Sequence, residues 1–239
     1  MRTHPGRARA GRGVVLVGRL GSGLVAGRQR QDQRERHHRE ADAHPERPPE
    51  PLGAGATLAA QGRHAEGKAI LVVRAPGVRM ENLEFRGARV PSGNGAGIRF
   101  EAGSLWLDRC RFFDNEMGLL SAGRPDMQLV VRHCDFGDAP RHDSGLLHHL
   151  LYVGAIDSCV VTHSRFGNGW QGHLLKSRAR VNRILWNEFV DGPEGQASYE
   201  LEFPNGGDNL VLGNRIEPVS YTHLRAHETD SYLVCRLLL

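Results

Sequence analysis

Lysine is almost missing from this 239-residue chain: Lys68 and Lys176 stand against 29 arginines. A lysine here is therefore no routine surface cation, and Lys176 asks for a reason. Aromatic residues make up only 6% of the chain. Cysteine occurs four times with no Cys-x-x-Cys spacing, which excludes a zinc module of that kind. Long apolar runs are lacking too. The stretch at residues 14–17 (Val-Val-Leu-Val) is far too short to span a membrane, and with Arg19 close behind it makes a poor signal-peptide core.

A surplus of positive charge is absent where it would matter. The formal net charge is +4, but residues 1–57 hold eleven Arg against six acids, while residues 58–218 hold 18 basic against 19 acidic side chains. A phosphate-binding surface needs clustered cations, so no nucleic-acid partner is expected for the patterned part of the chain. Residues 28–47 carry no apolar periodicity and read as disordered by composition. The text changes abruptly near residues 59–62, so residues 1–57 are either a disordered extension or an out-of-frame translation ahead of an authentic start near Leu58. At the other end, VSYTHLRAHET (219–229) and YLVCRLLL (232–239) resemble the translation of a transposase-type sequencing adapter. Residues 219–239 are accordingly expected to be an artefactual tail, leaving residues 58–218 as the natural domain.

What the chain does have is repetition. An apolar residue, two or three variable positions, a small or polar residue, one polar position and an aromatic recur six times. The first phrase runs from Met80 to Phe85, and the others end at Phe112, Phe136, Phe166, Phe189 and Ile216. Spacings of about 23–30 residues fall in the range of solenoid repeats. Each phrase is too short for a helix and is bounded by Gly, Asn and Asp, so it predicts strand. Further strand candidates lie between the phrases, at 97–100, 117–120, 149–153, 172–176 and 199–203. The expected fold is all-β: a right-handed parallel β-helix of about six coils, truncated at one or both ends, with glycines supplying positive-φ corners. Such a solenoid is expected to be a monomer, and a piece without its end coils is expected to aggregate.

Stacking predicts two interior columns, the aromatic one and a second of Met80, Leu107, Val131, Val161, Ile184 and Val211. A third column holds Cys110, Cys134, Ser164, Asn187 and Asn214. A disulfide between the two cysteines is conceivable, but a buried hydrogen-bonding ladder is the favoured reading. Cys159 reads as core. Arg109, His133 and Trp186 share an outward or corner slot, and His142, His148 and His163 read as solvent or turn residues.

The run from residue 67 to residue 218 resembles bacterial right-handed parallel β-helix repeat proteins of the pectate-lyase-like superfamily. The segments that carry the resemblance are NGAGIRFEAG (94–103), HLLYVG (149–154), GHLLKSRA (172–179) and SYELEFPNGG (198–207). The resemblance implies a carbohydrate-active protein, and secretion or a periplasmic location. Three of these segments fall on successive coils and carry polar side chains that a core does not need. His149 and Tyr152 lie on one coil. His173, Lys176 and Arg178 follow on the next, and Tyr199, Glu200, Glu202 and Asn205 on the third. A period of two places Lys176 with Arg178 on one face, and Glu200 with Glu202.

That set suits β-elimination from a uronate, which needs a charge clamp on the carboxylate, a base for the α-proton and an acid for the leaving oxygen. Lys176 is the first choice for base, with His173 or His149 as substitutes. Arg178 is the clamp, and Tyr152 or Tyr199 the proton donor. Asn205, Glu200 and Glu202 are candidate substrate contacts. The resemblance to Ca²⁺-assisted alginate and chondroitin lyases suggests calcium on Glu200 and Glu202. Those enzymes pair a Lys with an Arg across neighbouring coils, whereas Lys176 and Arg178 share a segment. The expected function is a polysaccharide lyase or epimerase-like enzyme on an acidic polysaccharide; the rival is a non-catalytic saccharide-binding or cell-surface solenoid. Lys176 paired with Glu200 or Glu202 as a purely structural ion pair is a third reading.

Overall fold

The computed structural model describes residues 55–141 and 145–217, with the backbone of two further strands, Arg225–Ala226 and Leu233–Arg236. Three strands make each coil. The first coil holds β1 (Ala56–Ala59), β2 (Ala69–Val73) and β3 (Gly77–Glu81), and the second β4 (Leu83–Arg86), β5 (Ala96–Phe100) and β6 (Ser104–Asp108). Then follow β7 (Arg111–Phe113), β8 (Met117–Ser121) and β9 (Gln128–Arg132), and β10 (Asp135–Gly137), β11 (Leu151–Val153) and β12 (Ser158–Thr162). The fifth coil is β13 (Arg165–Phe166), β14 (His173–Ser177) and β15 (Val181–Leu185), and the sixth β16 (Glu188–Val190), β17 (Tyr199–Phe203) and β18 (Asp208–Leu212). β19 (Arg215–Glu217) begins another coil, to which the two backbone strands, β20 and β21, belong. Every third strand pairs in parallel, giving three seven-stranded sheets that start at β1, β2 and β3.

The chain is thus a parallel β-solenoid of about six coils, with no helix among the described residues. β1 opens two residues ahead of the boundary expected at residue 58. The readings of residues 1–54, of His142 and of the tail side chains beyond Glu217 lie outside the described residues.

The repeated phrase turns out to be two strands rather than one. A link of one or two residues, opening on a residue in the left-handed region, joins the third-sheet strand to the next first-sheet strand: Asn82 (φ 52°), Arg109 (51°), His133 (51°), His163 (52°), Trp186 (58°) and Gly213 (67°). The shared slot of Arg109, His133 and Trp186 is therefore a corner. Five of these six corners carry a side chain, so the glycine-corner expectation holds only in part. Gly103 and Gly207 do take positive φ, at 80° and 102°, but Gly118 and Gly172 serve close approach instead. A Cβ on Gly118 would overlap the Leu150 carbonyl, and one on Gly172 the His148 carbonyl.

Inside, Phe85, Phe112, Phe136, Phe166 and Phe189 stack with centroids 4.5–5.1 Å apart and ring planes within 12°. Strand register sets that spacing, because coils lie one ladder step apart. Beside the rings runs the polar ladder. The Cys110 backbone N–H points at Cys134 Sγ (3.3 Å), and the Cys134 N–H donates to Ser164 Oγ (3.1 Å). The Ser164 N–H donates to Asn187 Oδ1 (2.9 Å), and the Asn187 N–H to Asn214 Oδ1 (2.8 Å). Each side chain thus satisfies a buried backbone donor one coil back. Cys110, Cys134 and Cys159 are free and buried, so the ladder and not the disulfide is what forms.

Candidate functional site

The outer face of the second sheet departs from strict alternation. Ala69 and Val72, three residues apart, belong to one outer cluster with Ala96, Met117 and Leu120, while Leu71 and Val73 belong to the interior. Two residues three apart share a side only if two consecutive residues between them point inward. On early coils that doubled inward position holds Gly97 and Gly118. A Cβ there would press on Phe85 and Phe112 at 3.0 Å, or on Phe136 at 2.9 Å. On later coils it holds Leu150 and Leu174, both in the interior cluster.

This offset assembles the polar patch. In register, Tyr152 faces Lys176, Lys176 faces Glu202, and His173 faces Tyr199. The rings of His149 and His173 meet edge to face at 4.7 Å, His173 and Tyr199 do so at 5.0 Å, and His149 lies 5.3 Å from Tyr152. Glu202 Oε2 sits 2.6 Å from Lys176 Nζ and 2.7 Å from His173 Nε2. Arg178, just past β14, donates from Nε to Tyr152 Oη (3.0 Å) and from Nη1 to Asn205 Oδ1 (2.6 Å). Eight of the nine candidates from three coils therefore form one connected cluster. Tyr152, Lys176, Arg178, Tyr199 and Asn205 reach solvent, while His149, His173 and Glu202 lie buried behind them.

Glu200 is the exception. It is 2% exposed and follows Leu150 and Leu174 in the doubled inward row. The period of two put Glu200 beside Glu202; the offset puts Tyr199 there. Glu202 is already engaged by Lys176 and His173, and the described residues include no group of three or more His, Cys, Asp or Glu side chains able to hold a metal. Calcium takes six to eight oxygens, so the calcium expectation for Glu200 and Glu202 does not fit.

Electrostatics divides the cluster. Burial drives the His149 imidazole down to about 3, helped by the charges of His173 and Lys176. It is neutral near pH 7, as its geometry requires: Nδ1 accepts from the His173 backbone N–H at 2.9 Å, which leaves any ring proton on Nε2. Burial also lowers His173, although Glu202 pulls the other way. At Glu202 burial opposes the charge, yet Lys176 and His173 together hold the carboxyl below its ordinary range.

No comparable patch forms on the first sheet. There Glu84, Arg111, Asp135, Arg165, Glu188 and Arg215 alternate in sign from coil to coil. Contacts such as Arg111–Glu84 at 3.0 Å and Arg165–Asp135 at 2.7 Å leave that face self-neutralised.

Two further outcomes differ from the sequence reading. His148 is not a solvent residue but fully buried, 3.3 Å from the Pro140 carbonyl through Nδ1. Two positioning acids were also missed. Glu116 Oε2 accepts from the Val90 and Gly95 N–H groups, and Asp191 accepts from those of Gly169 and Ala197. They hold the loops that lead into β5 and β17. For Asp191 the available signal was an acid close behind the Phe189 anchor and ahead of a long glycine-containing loop, whereas Glu116 leads straight into β8 and carried no such signal. Among the described residues no helix is long and apolar enough to cross a membrane.

Comparison with protein-family models, with curated proteins and with solved structures finds no match to this chain.

Proposed function

We infer that the outer face of the second sheet is a saccharide site, and that the protein acts on an acidic polysaccharide as a lyase or epimerase. The observation that carries this reading is the convergence of Tyr152, Lys176, Arg178, Tyr199 and Asn205 on one solvent-facing patch, backed by buried His149, His173 and Glu202. Early coils fill the same rows with Ala69, Val72, Ala96, Met117 and Leu120, with Arg99 as the one charged member, so coil stacking does not require a polar patch there.

β-Elimination begins by making the proton α to a carboxylate acidic. Arg178 supplies the positive partner, an amine or imidazole takes the proton, and a phenol hands one to the departing oxygen. In register Tyr152 stands beside Lys176, so acid and base would act on the same sugar ring. Epimerisation uses the same first step and returns the proton to the opposite face. No step runs through calcium.

One observation favours a second reading. Lys176 Nζ rests on Glu202 at 2.6 Å, so its nitrogen is already engaged by a carboxylate and is not free to meet a substrate proton. On that account the patch is a non-catalytic saccharide-binding surface, and the protein a binding or cell-surface solenoid.

Absorbance at about 230–240 nm separates the two, because elimination creates a conjugated double bond. The full chain is incubated with alginate, pectate or chondroitin. A rise that Tyr152→Phe and Lys176→Ala abolish supports the lyase. Proton exchange into the polymer without a rise indicates epimerisation, and binding without either indicates the non-catalytic reading.

A further inference from the structure

We propose that Arg178 alone is the anion receptor of this patch and that Glu202 withholds Lys176 from the ligand, so that the site takes one planar carboxylate per bound sugar. The proposal rests on the saccharide reading and adds which charge does the recognising.

Arg178 differs from the arginines around it. Arg165 rests on Asp135, Arg180 on Asp157 and Arg183 on Asp208, each within 2.8 Å. Arg178 touches only the Tyr152 phenol and the Asn205 amide oxygen, and among the described residues no carboxylate lies within ion-pair reach of it. Its charge is oriented but not neutralised. Two of its five N–H donors are spent on that orientation, by groups from the coils on either side, and the rest of the fork is available for a bidentate carboxylate.

Lys176 is in the opposite state. It and Glu202 cancel one another, with His173 completing the contact. The patch therefore presents one unmatched positive charge, although two cations lie on it. A carboxylate is the planar anion that a two-pronged guanidinium fits, and exposed Asn205 beside it offers a second contact for a sugar hydroxyl. Removing the charge of Glu202 should release Lys176 and create a second anion contact, so this substitution improves binding.

Isothermal titration calorimetry at low salt tests this on the full chain, with trisaccharides of uronic acids (galacturonate, mannuronate, guluronate) and their uncharged counterparts. Expected are binding of a charged trisaccharide but not of its neutral counterpart, and a loss of about tenfold or more with Arg178→Gln. Arg178→Lys should recover only part of that loss, because an ammonium keeps the charge and not the fork. Arg180→Gln should leave affinity unchanged. Glu202→Gln should bind several-fold tighter, with a steeper dependence on salt. Thermal melts of each variant establish that it is folded. Weaker or unchanged binding by folded Glu202→Gln, or retained affinity in Arg178→Gln, overturns the assignment while leaving the saccharide reading in place. No binding of any trisaccharide to the unaltered chain overturns both.

Discussion

Lys176 and Glu202 stand directly opposite each other on neighbouring coils, Nζ to Oε2 at 2.6 Å, with side chains only 14% and 12% exposed. A pair this buried is costly to break, because the survivor is a charge without a partner. Lys176→Met and Glu202→Leu should each destabilise by about 3 kcal/mol, while the double substitution should cost much less than their sum. Chemical denaturation of the four proteins measures the coupling. Additive losses would mean that the pair contributes no interaction.

His149 should make stability sensitive to mild acid. Its folded value, about 3, lies below the ordinary 6.5, so the unfolded chain binds the extra proton first. Its contribution is complete above about pH 6.5 and declines as pH falls toward about 3, at roughly 1.4 kcal/mol per unit of the shift. Glu202, also held low, adds a loss in the same direction once pH drops below the ordinary carboxylate range. Unfolding free energy measured from pH 7.5 to pH 4 should fall, and His149→Gln should flatten the upper part of that curve. An unchanged slope in the variant would assign the sensitivity to another group.

The polar ladder should weaken toward its cysteine end. Asn187 accepts from the Ser164 N–H and donates to the Val161 carbonyl and to Asn214 Oδ1. Asn187→Ala strips buried partners from several groups and should cost about 2–4 kcal/mol. Cys110 makes only long sulfur contacts, 3.6 Å to the Met80 carbonyl and 3.5 Å to that of Asp108, so Cys110→Ala should cost about 1 kcal/mol. Equal losses in denaturation experiments would show that volume, and not hydrogen bonding, sets the ladder's worth.

Gly118→Ala should be among the most damaging single-methyl additions in the chain. Its Cβ has nowhere to go between the Leu150 carbonyl and the Phe136 ring. Overpacking of this kind costs about 1–3 kcal/mol or more. Gly62→Ala, with open space around it but a φ of 73°, carries only the backbone penalty. The difference between the two melting temperatures checks the claim.

The legible parts of this protein were those governed by one repeating dimension. Stacked coils force residues at the same slot to be neighbours, so Phe85 through Phe189, and Cys110 through Asn214, could be placed from spacing alone. Convergence of His149, Tyr152, His173, Lys176, Tyr199 and Glu202 followed from the same rule. Glu200 could not be placed that way. Its side depends on a slip in the pleat shared by the whole sheet, from Gly97 and Gly118 through Leu150 and Leu174, which an alternation read along its own strand does not reveal. The corners were hidden for a related reason: Arg109 and Trp186 hold left-handed backbone that no local preference of theirs announces, and only His133 belongs to a type enriched there.

By itself the sequence determined the winding, since a period of about 23–30 residues with matched apolar slots leaves stacking as the way to bury them. Only the tertiary structure decided which charges are available. Lys176 and Arg178 look alike along the chain, yet one meets a carboxylate from the next coil and the other meets two neutral oxygens. Partners that come from separate coils are set by register and side-chain reach, and neither is written in the residues on their own strand.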